Sequence, residues 1–217
     1  VIVFPPEIAP LPHLAAPASP RAAVFFDRDD TLIANASLPP TAFANGVGGD
    51  LADPAHVVPL PGAADACARA RDAGYAVVVV TNQGVAARGG ASLAAVAATC
   101  ARMVELLDAQ AGRSVVDAVF ACPYHPHAAG PPELCREHPW RKPAPGMLLA
   151  AADLLALDLG ASWMVGDAER DCLAARAAGL CPRRCVLLGG AVPPFASAPD
   201  ISRALDLVLA AGANAGA

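Results

Sequence analysis

Long apolar runs are missing from this sequence. Across 217 residues, none reaches the roughly 18 uninterrupted apolar positions that a membrane-spanning helix needs. Yet hydrophobic residues make up 55% of the chain, much of it alanine. No membrane partner is expected. Positive charge is scarce too: 15 Lys plus Arg face 20 Asp plus Glu, for a net charge of −5. A protein that wraps nucleic acid needs a basic face, so no nucleic-acid partner is expected. A small anionic ligand remains compatible, because a site can be locally positive within an acidic protein. The first residues have neither a basic start nor a continuous apolar run. No secretory leader is expected, and the chain is assigned to the cytoplasm. The sequence holds no internal repeat.

What is present suits one domain with a single core. There are 7 cysteines, at 67, 100, 122, 135, 172, 181 and 185. An odd count without a leader favours reduced thiols or a metal site over a disulfide framework. Residues 1–21 are rich in Pro and Ala and read as a loosely packed arm. Residues 22–26 form a short apolar run that ends in Asp27, Arg28, Asp29 and Asp30. This predicts a buried strand with acids at its C-terminal end. Residues 35–61 are Pro, Gly, Asn and Asp in large part, and a loop of that length is usually functional.

Helices are expected over 62–73, 92–110, 147–157, 169–178 and 201–211, where apolar residues recur at helical spacing or Pro and Gly mark the ends. Further strands are expected over 76–80, 116–121, 163–166 and 185–188. The alternation predicts an α/β fold: a Rossmann-like three-layer αβα sandwich with a mostly parallel sheet. The domain spans 22–212, and 213–217 is a frayed tail. Ligands bind beyond the carboxyl ends of such strands. That rule gathers Asp27, Thr81, Cys122 and Asp167 at one sheet edge.

Two acids spaced D-x-D after a strand can share one reaction. One carboxylate can attack phosphorus while the other handles the proton of the leaving oxygen. Hard oxygen ligands suit Mg²⁺, which offsets phosphate charge. Thr81 and Asn82 can hold phosphoryl oxygens, and the Arg141–Lys142 pair can neutralise charge. By itself a D-x-D pair serves equally as a turn or a helix cap.

The run Phe25-Phe26-Asp27-Arg28-Asp29-Asp30-Thr31-Leu32 resembles the first motif of the haloacid dehalogenase superfamily. Thr81 resembles the second, Lys142 the third, and Val165-Gly166-Asp167 the fourth, in the required order over residues 22–188. The resemblance implies that Asp27 becomes an aspartyl-phosphate and that Asp29 serves as acid and then base. It implies Mg²⁺ on Asp27, the Asp29 carbonyl and Asp167, with Lys142 stabilising the transferring charge. Asp30 departs from the usual Gly, and Ala168 from a frequent Lys. Asp171 reads either as an acid supporting the metal ligands or as an exposed helix acid.

Finer motifs resemble one branch of that superfamily. Thr81-Asn82-Gln83 with Arg88-Gly89, and Arg141-Lys142-Pro143-Ala144-Pro145-Gly146-Met147, are similar to the phosphatases that act on the 7-phosphate of D-glycero-D-manno-heptose 1,7-bisphosphate. The histidinol-phosphatase branch shares the Asn-Gln and Arg-Lys-Pro cores only. A phosphosugar substrate is therefore implied, bound by Thr81, Asn82, Gln83, Arg88, Arg141 and Lys142. Arg88 or Arg141 would take a second phosphate. The rival reading is a non-catalytic phosphosugar-binding module of the same fold.

Cys122, His125, Cys135 and His138 form C-x2-H-x9-C-x2-H. Thiolates and imidazoles in two close pairs suit a structural Zn²⁺, and members of the resembled branch often carry a zinc loop here. This chain departs from their pattern at Tyr124 and Trp140, and His127 is an alternative ligand. Cys67, Cys100 and Cys172 read as small core residues.

Overall fold

The computed structural model describes residues 1–13, 19–44 and 48–213. Its centre is a seven-stranded sheet, parallel throughout, in the order β1-β4-β3-β2-β5-β6-β7. The strands are β1 (Ile2–Val3), β2 (Ala23–Phe26), β3 (Ala76–Asn82), β4 (Ala118–Cys122), β5 (Trp163–Gly166), β6 (Cys185–Leu188) and β7 (Ala196–Ala198). The helices are α1 (Ala63–Asp72), α2 (Leu93–Ala111), α3 (Gly146–Leu155), α4 (Glu169–Ala177) and α5 (Ile201–Ala213). Among the described residues, no helix is long and apolar enough to cross a membrane.

The central strands are continuous apolar runs because both sheet faces are covered. Alternate side chains serve opposite faces. Val24, Phe26, Val77, Val79, Val165 and Val186 pack with Cys67 of α1, Cys100 and Met103 of α2, and Leu205 of α5. Phe25, Val78, Val80, Phe120 and Met164 pack with Met147 and Leu148 of α3 and Cys172 of α4. Cys67, Cys100 and Cys172 are fully buried in these layers. Burial pushes the thiols of Cys67 and Cys172 up to about 12, so both stay protonated and act as small apolar residues.

Two strands escape the sequence reading. The arm over 1–21 does not stay loose from its start: Ile2–Val3 extends the sheet beside β4, with Val3 buried. β7 is equally short and pairs with β6. β3 and β4 also run on to Asn82 and Cys122, past the expected ends at 80 and 121. Residues 214–217, most of the expected tail, lie outside the described residues.

Candidate active site

The parallel strands deliver their C-terminal ends to one edge. Asp27 follows β2, and its N–H is fastened to the Val165 carbonyl of β5 at 3.0 Å. Asp167 follows β5, whose central position beside β2 brings the two acids together. Lys142 arrives from the segment before α3. Its ammonium lies 2.5 Å from Asp27 Oδ1, 2.7 Å from Asp171 Oδ1 and 2.7 Å from the Val80 carbonyl. It is the only lysine in the chain. That scarcity was a readable signal, because a chain that otherwise uses Arg has kept a compact ammonium at one place.

The segment that carries Lys142 is held by Asn82. The Asn82 side-chain amide donates to the Lys142 carbonyl and accepts from the Lys142 N–H, both at 3.0 Å. Both polar ends of Asn82 are thus engaged with backbone. Thr81 is fully buried at the end of β3, and its hydroxyl accepts from Gln83 Nε2 at 2.9 Å. Gln83, expected as a phosphate ligand, is turned toward Asp29 and Thr81. It is buried, and its amide nitrogen donates to Asp29 Oδ2 at 3.1 Å, so it orients an acid.

Asp29 is held from the other side by Arg28, which the sequence reading passed over. The Arg28 guanidinium is fully buried and grips both Asp29 oxygens, with Nη2 2.8 Å from Oδ1 and 3.1 Å from Oδ2. Burial raises the Asp29 carboxyl above its ordinary range. Arg28 opposes that rise and Asp27 adds to it. A carboxyl raised in this way is suited to carrying a proton toward a leaving oxygen. Asp30 occupies the left-handed region at φ 55°, where Asp is better tolerated than most residues. Its Oδ1 accepts from the N–H groups of Asn35 and Ala36, each at 2.8 Å. The carboxylate therefore fastens the following loop.

Asp171 proves to be a fully buried acid rather than an exposed one. Besides Lys142, it accepts from the Ala168 N–H at 3.1 Å through Oδ2. Gly166 makes room for it. A Cβ on Gly166 would stand 2.4 Å from Asp171 Oδ2, closer than packed atoms allow.

Asp27, Asp167 and Asp171 can each place an oxygen within 4.8 Å of the others, the one such metal-compatible group among the described residues. Asp171 Oδ1 meets Lys142 in an ion pair and Oδ2 accepts from the Ala168 N–H, whereas Asp27 Oδ2 and Asp167 Oδ1 are buried and have neither kind of partner. No backbone N–H donates to the Asp29 carbonyl among the described residues. Three carboxylates around one ammonium leave an excess of negative charge that Arg170 offsets only in part, which suits a divalent cation with hard oxygen ligands. Without a metal, burial and then the charges of Asp27 and Asp171 push Asp167 up to about 7.

These groups open onto a cleft of about 420 Å³. Asp29, Asp30, Asn82, Asp167, Arg88, Arg141 and Arg170 line it, with Asn35, Phe43 and Gly49 of the long loop as one wall. Arg88 is tied to the fully buried carboxylate of Asp50, with Nε 2.9 Å from Oδ2. Asp50 went unnoticed in the sequence because it sits in a polar loop. Arg141 donates to the Tyr124 carbonyl at 3.0 Å.

The structure does not assemble the four expected zinc ligands. His138 has both ring nitrogens occupied: Nε2 is 2.6 Å from Glu7 Oε1, and Nδ1 accepts from the Trp140 N–H at 3.1 Å. His125 Nδ1 accepts from the His127 N–H at 3.2 Å. Cys135 Sγ faces the Pro131 carbonyl at 3.3 Å. Cys122 is buried, with its thiol pushed up to about 11 by desolvation. Tyr124, at a departure from the zinc-loop pattern, stacks on His138 at 4.2 Å between ring centres.

The HAD-hydrolase-like family model matches residues 139–190. A D-glycero-beta-D-manno-heptose-1,7-bisphosphate 7-phosphatase from Mesorhizobium japonicum is 39% identical over 211 residues, 96% of this chain and 84% of that protein. The solved structure of a protein from Mesorhizobium loti, described as a HAD-like phosphatase, superposes with a TM-score of 0.75 at 38% identity. The match covers 94% of this chain and 91% of the other. The D,D-heptose 1,7-bisphosphate phosphatase from B. bronchiseptica, solved with magnesium and phosphate, superposes with a TM-score of 0.69 at 29% identity. It covers 88% of this chain and 99% of its own.

Proposed function

The chain belongs to the HAD-like hydrolases, and from that premise we propose that it is a magnesium-dependent phosphatase that removes the 7-phosphate of a D-glycero-D-manno-heptose 1,7-bisphosphate. The observation that carries the reading is the buried Lys142 bridge between Asp27 and Asp171, with Asp27 Oδ2 left unpartnered. The phosphatase domain in this reading is 22–212, with Ile2–Val3 of the preceding arm added to its sheet.

Asp27 and Asp167 would hold Mg²⁺, with the Asp29 carbonyl as a third donor. When bound, the ion offsets phosphate charge and keeps the acids ionised beside an anion. Lys142 orients Asp27 through Oδ1, which leaves Oδ2 to attack phosphorus. The bond from phosphorus to the sugar oxygen breaks as the aspartyl-phosphate forms, and Asp29 gives its proton to that oxygen. Asp29 then takes a proton from water, which attacks the acyl phosphate and restores Asp27. Arg28 and Gln83 keep Asp29 aimed through both half-reactions. Asn82 and Thr81 position this machinery from β3, and Lys142 stabilises charge on the transferred group. The loop carrying Cys122, His125, Cys135 and His138 is held by packing and hydrogen bonds, and zinc has no role in this reading.

Phosphate release with Mg²⁺ from the heptose 1,7-bisphosphate and from histidinol phosphate, measured side by side, tests this. Much faster release from the bisphosphate is expected. The reverse preference places the chain with the histidinol phosphatases, and no release from either favours a binding module.

A further inference from the structure

The cleft and the layer behind it hold more cationic groups than the transferred phosphate can use, and most are already committed. Lys142 is held between two carboxylates. Arg28 is clamped to Asp29, and Arg88 to Asp50. Arg141 spends one nitrogen on the Tyr124 carbonyl. Arg170 differs from all of these. It lines the same cleft and is exposed. Among the described residues its guanidinium forms no ion pair and donates no hydrogen bond.

The charges of Asp167 and Asp171 attract Arg170, but neither carboxylate forms an ion pair with it. Arg170 lies in the first turn of α4, where the helix dipole favours acids such as its neighbours Glu169 and Asp171. The guanidiniums also repel each other across the cleft. Burial lowers Arg141 from its ordinary value, and Arg88 and Arg170 lower it further. An anion placed between Arg141 and Arg170 would relieve that repulsion and offset the dipole. Guanidinium suits this ligand, because its planar donors match phosphate oxygens in pairs.

We infer that Arg170, together with Arg141, binds the phosphate that the enzyme leaves on its substrate. By sequence alone Arg88 has an equal claim, but the Arg88 charge is answered by Asp50. The inference rests on the bisphosphate-phosphatase reading above and names the group that separates a bisphosphate from a monophosphate.

Arg170→Ala and Arg170→Lys would be assayed with Mg²⁺ on the heptose 1,7-bisphosphate and on the heptose 7-phosphate. Calorimetry would measure binding of the heptose 1-phosphate, which carries only the retained phosphate. R170A is expected to lower kcat/KM about tenfold more on the bisphosphate than on the 7-phosphate, through KM, and to weaken 1-phosphate binding about tenfold. R170K should recover part of each loss as a point charge. Equal losses on both substrates, or unchanged 1-phosphate binding, would overturn the inference. Absence of turnover by the wild type would count against the activity reading, while the calorimetric comparison would still decide the role of Arg170.

Discussion

Asp171 occupies space that only a glycine at position 166 leaves open, and the ion pair between Asp171 and Lys142 depends on that fit. The Gly166 of the Val-Gly-Asp motif is therefore a packing requirement of the site. Gly166→Ala should force Asp171 or β5 to shift. The expected cost is about 1–3 kcal/mol by overpacking, together with a loss of phosphate release well beyond what the lost stability explains. Urea unfolding and steady-state assays would read the two effects. A variant with wild-type stability and turnover would show that the close approach is unimportant.

The acidic cluster predicts how pH acts on metal binding. The Asp167 carboxyl is pushed up to about 7 in the metal-free protein, first by burial and then by Asp27 and Asp171. The unfolded chain releases that proton near 4. Between those values the folded state holds more protons than the unfolded one, so this group's contribution to metal-free stability falls as pH rises through that window. Mg²⁺ must displace the proton, so its apparent affinity should weaken by up to about tenfold per pH unit below 7. Thermal unfolding with Mg²⁺ and with EDTA would show a larger difference at pH 8 than at pH 5. An equal difference at both would contradict this.

Glu7 predicts how the loop over 122–138 is held. Its Oε1 meets His138 Nε2 at 2.6 Å, the Tyr124 hydroxyl at 3.1 Å and Arg136 Nη2 at 3.3 Å. Burial works to raise its carboxyl, but a backbone hydrogen bond and His138 leave it below the ordinary range. The network is partly exposed, so Glu7→Ala should cost under about 1 kcal/mol of global stability. Amide exchange should nonetheless quicken in both the N-terminal segment and this loop. Protein purified without a His-tag should carry well under one zinc per chain. Stoichiometric zinc, or unchanged exchange in Glu7→Ala, would restore the metal as the organiser of the loop.

The site was legible where chemistry follows strand ends. Asp27, Asp167 and Lys142 stand beside elements whose apolar runs are long enough to read, and a parallel sheet has one ligand edge. What stayed hidden depends on tertiary partners. β1 and β7 are two and three residues long, too short for any pattern, and exist because β4 and β6 offer free edges. Arg28 and Asp50 look like surface residues until Asp29 and Arg88 are found against them. Gln83 was expected at phosphate, and only the fold shows that the end of β3 turns it toward Asp29. The zinc spacing was sound as sequence, but spacing cannot show that Glu7 and the Trp140 N–H take up His138.

The central claim is that Asp27 carries the phosphoryl group. Rapid acid quenching during turnover of the heptose bisphosphate with Mg²⁺, followed by peptide mass spectrometry, tests it most directly. One phosphoryl group should appear on the peptide containing Asp27 in the wild type and be absent from Asp27→Asn, which should also lose turnover. Phosphate release that persists in Asp27→Asn, or a phosphoryl group trapped elsewhere, would contradict the account.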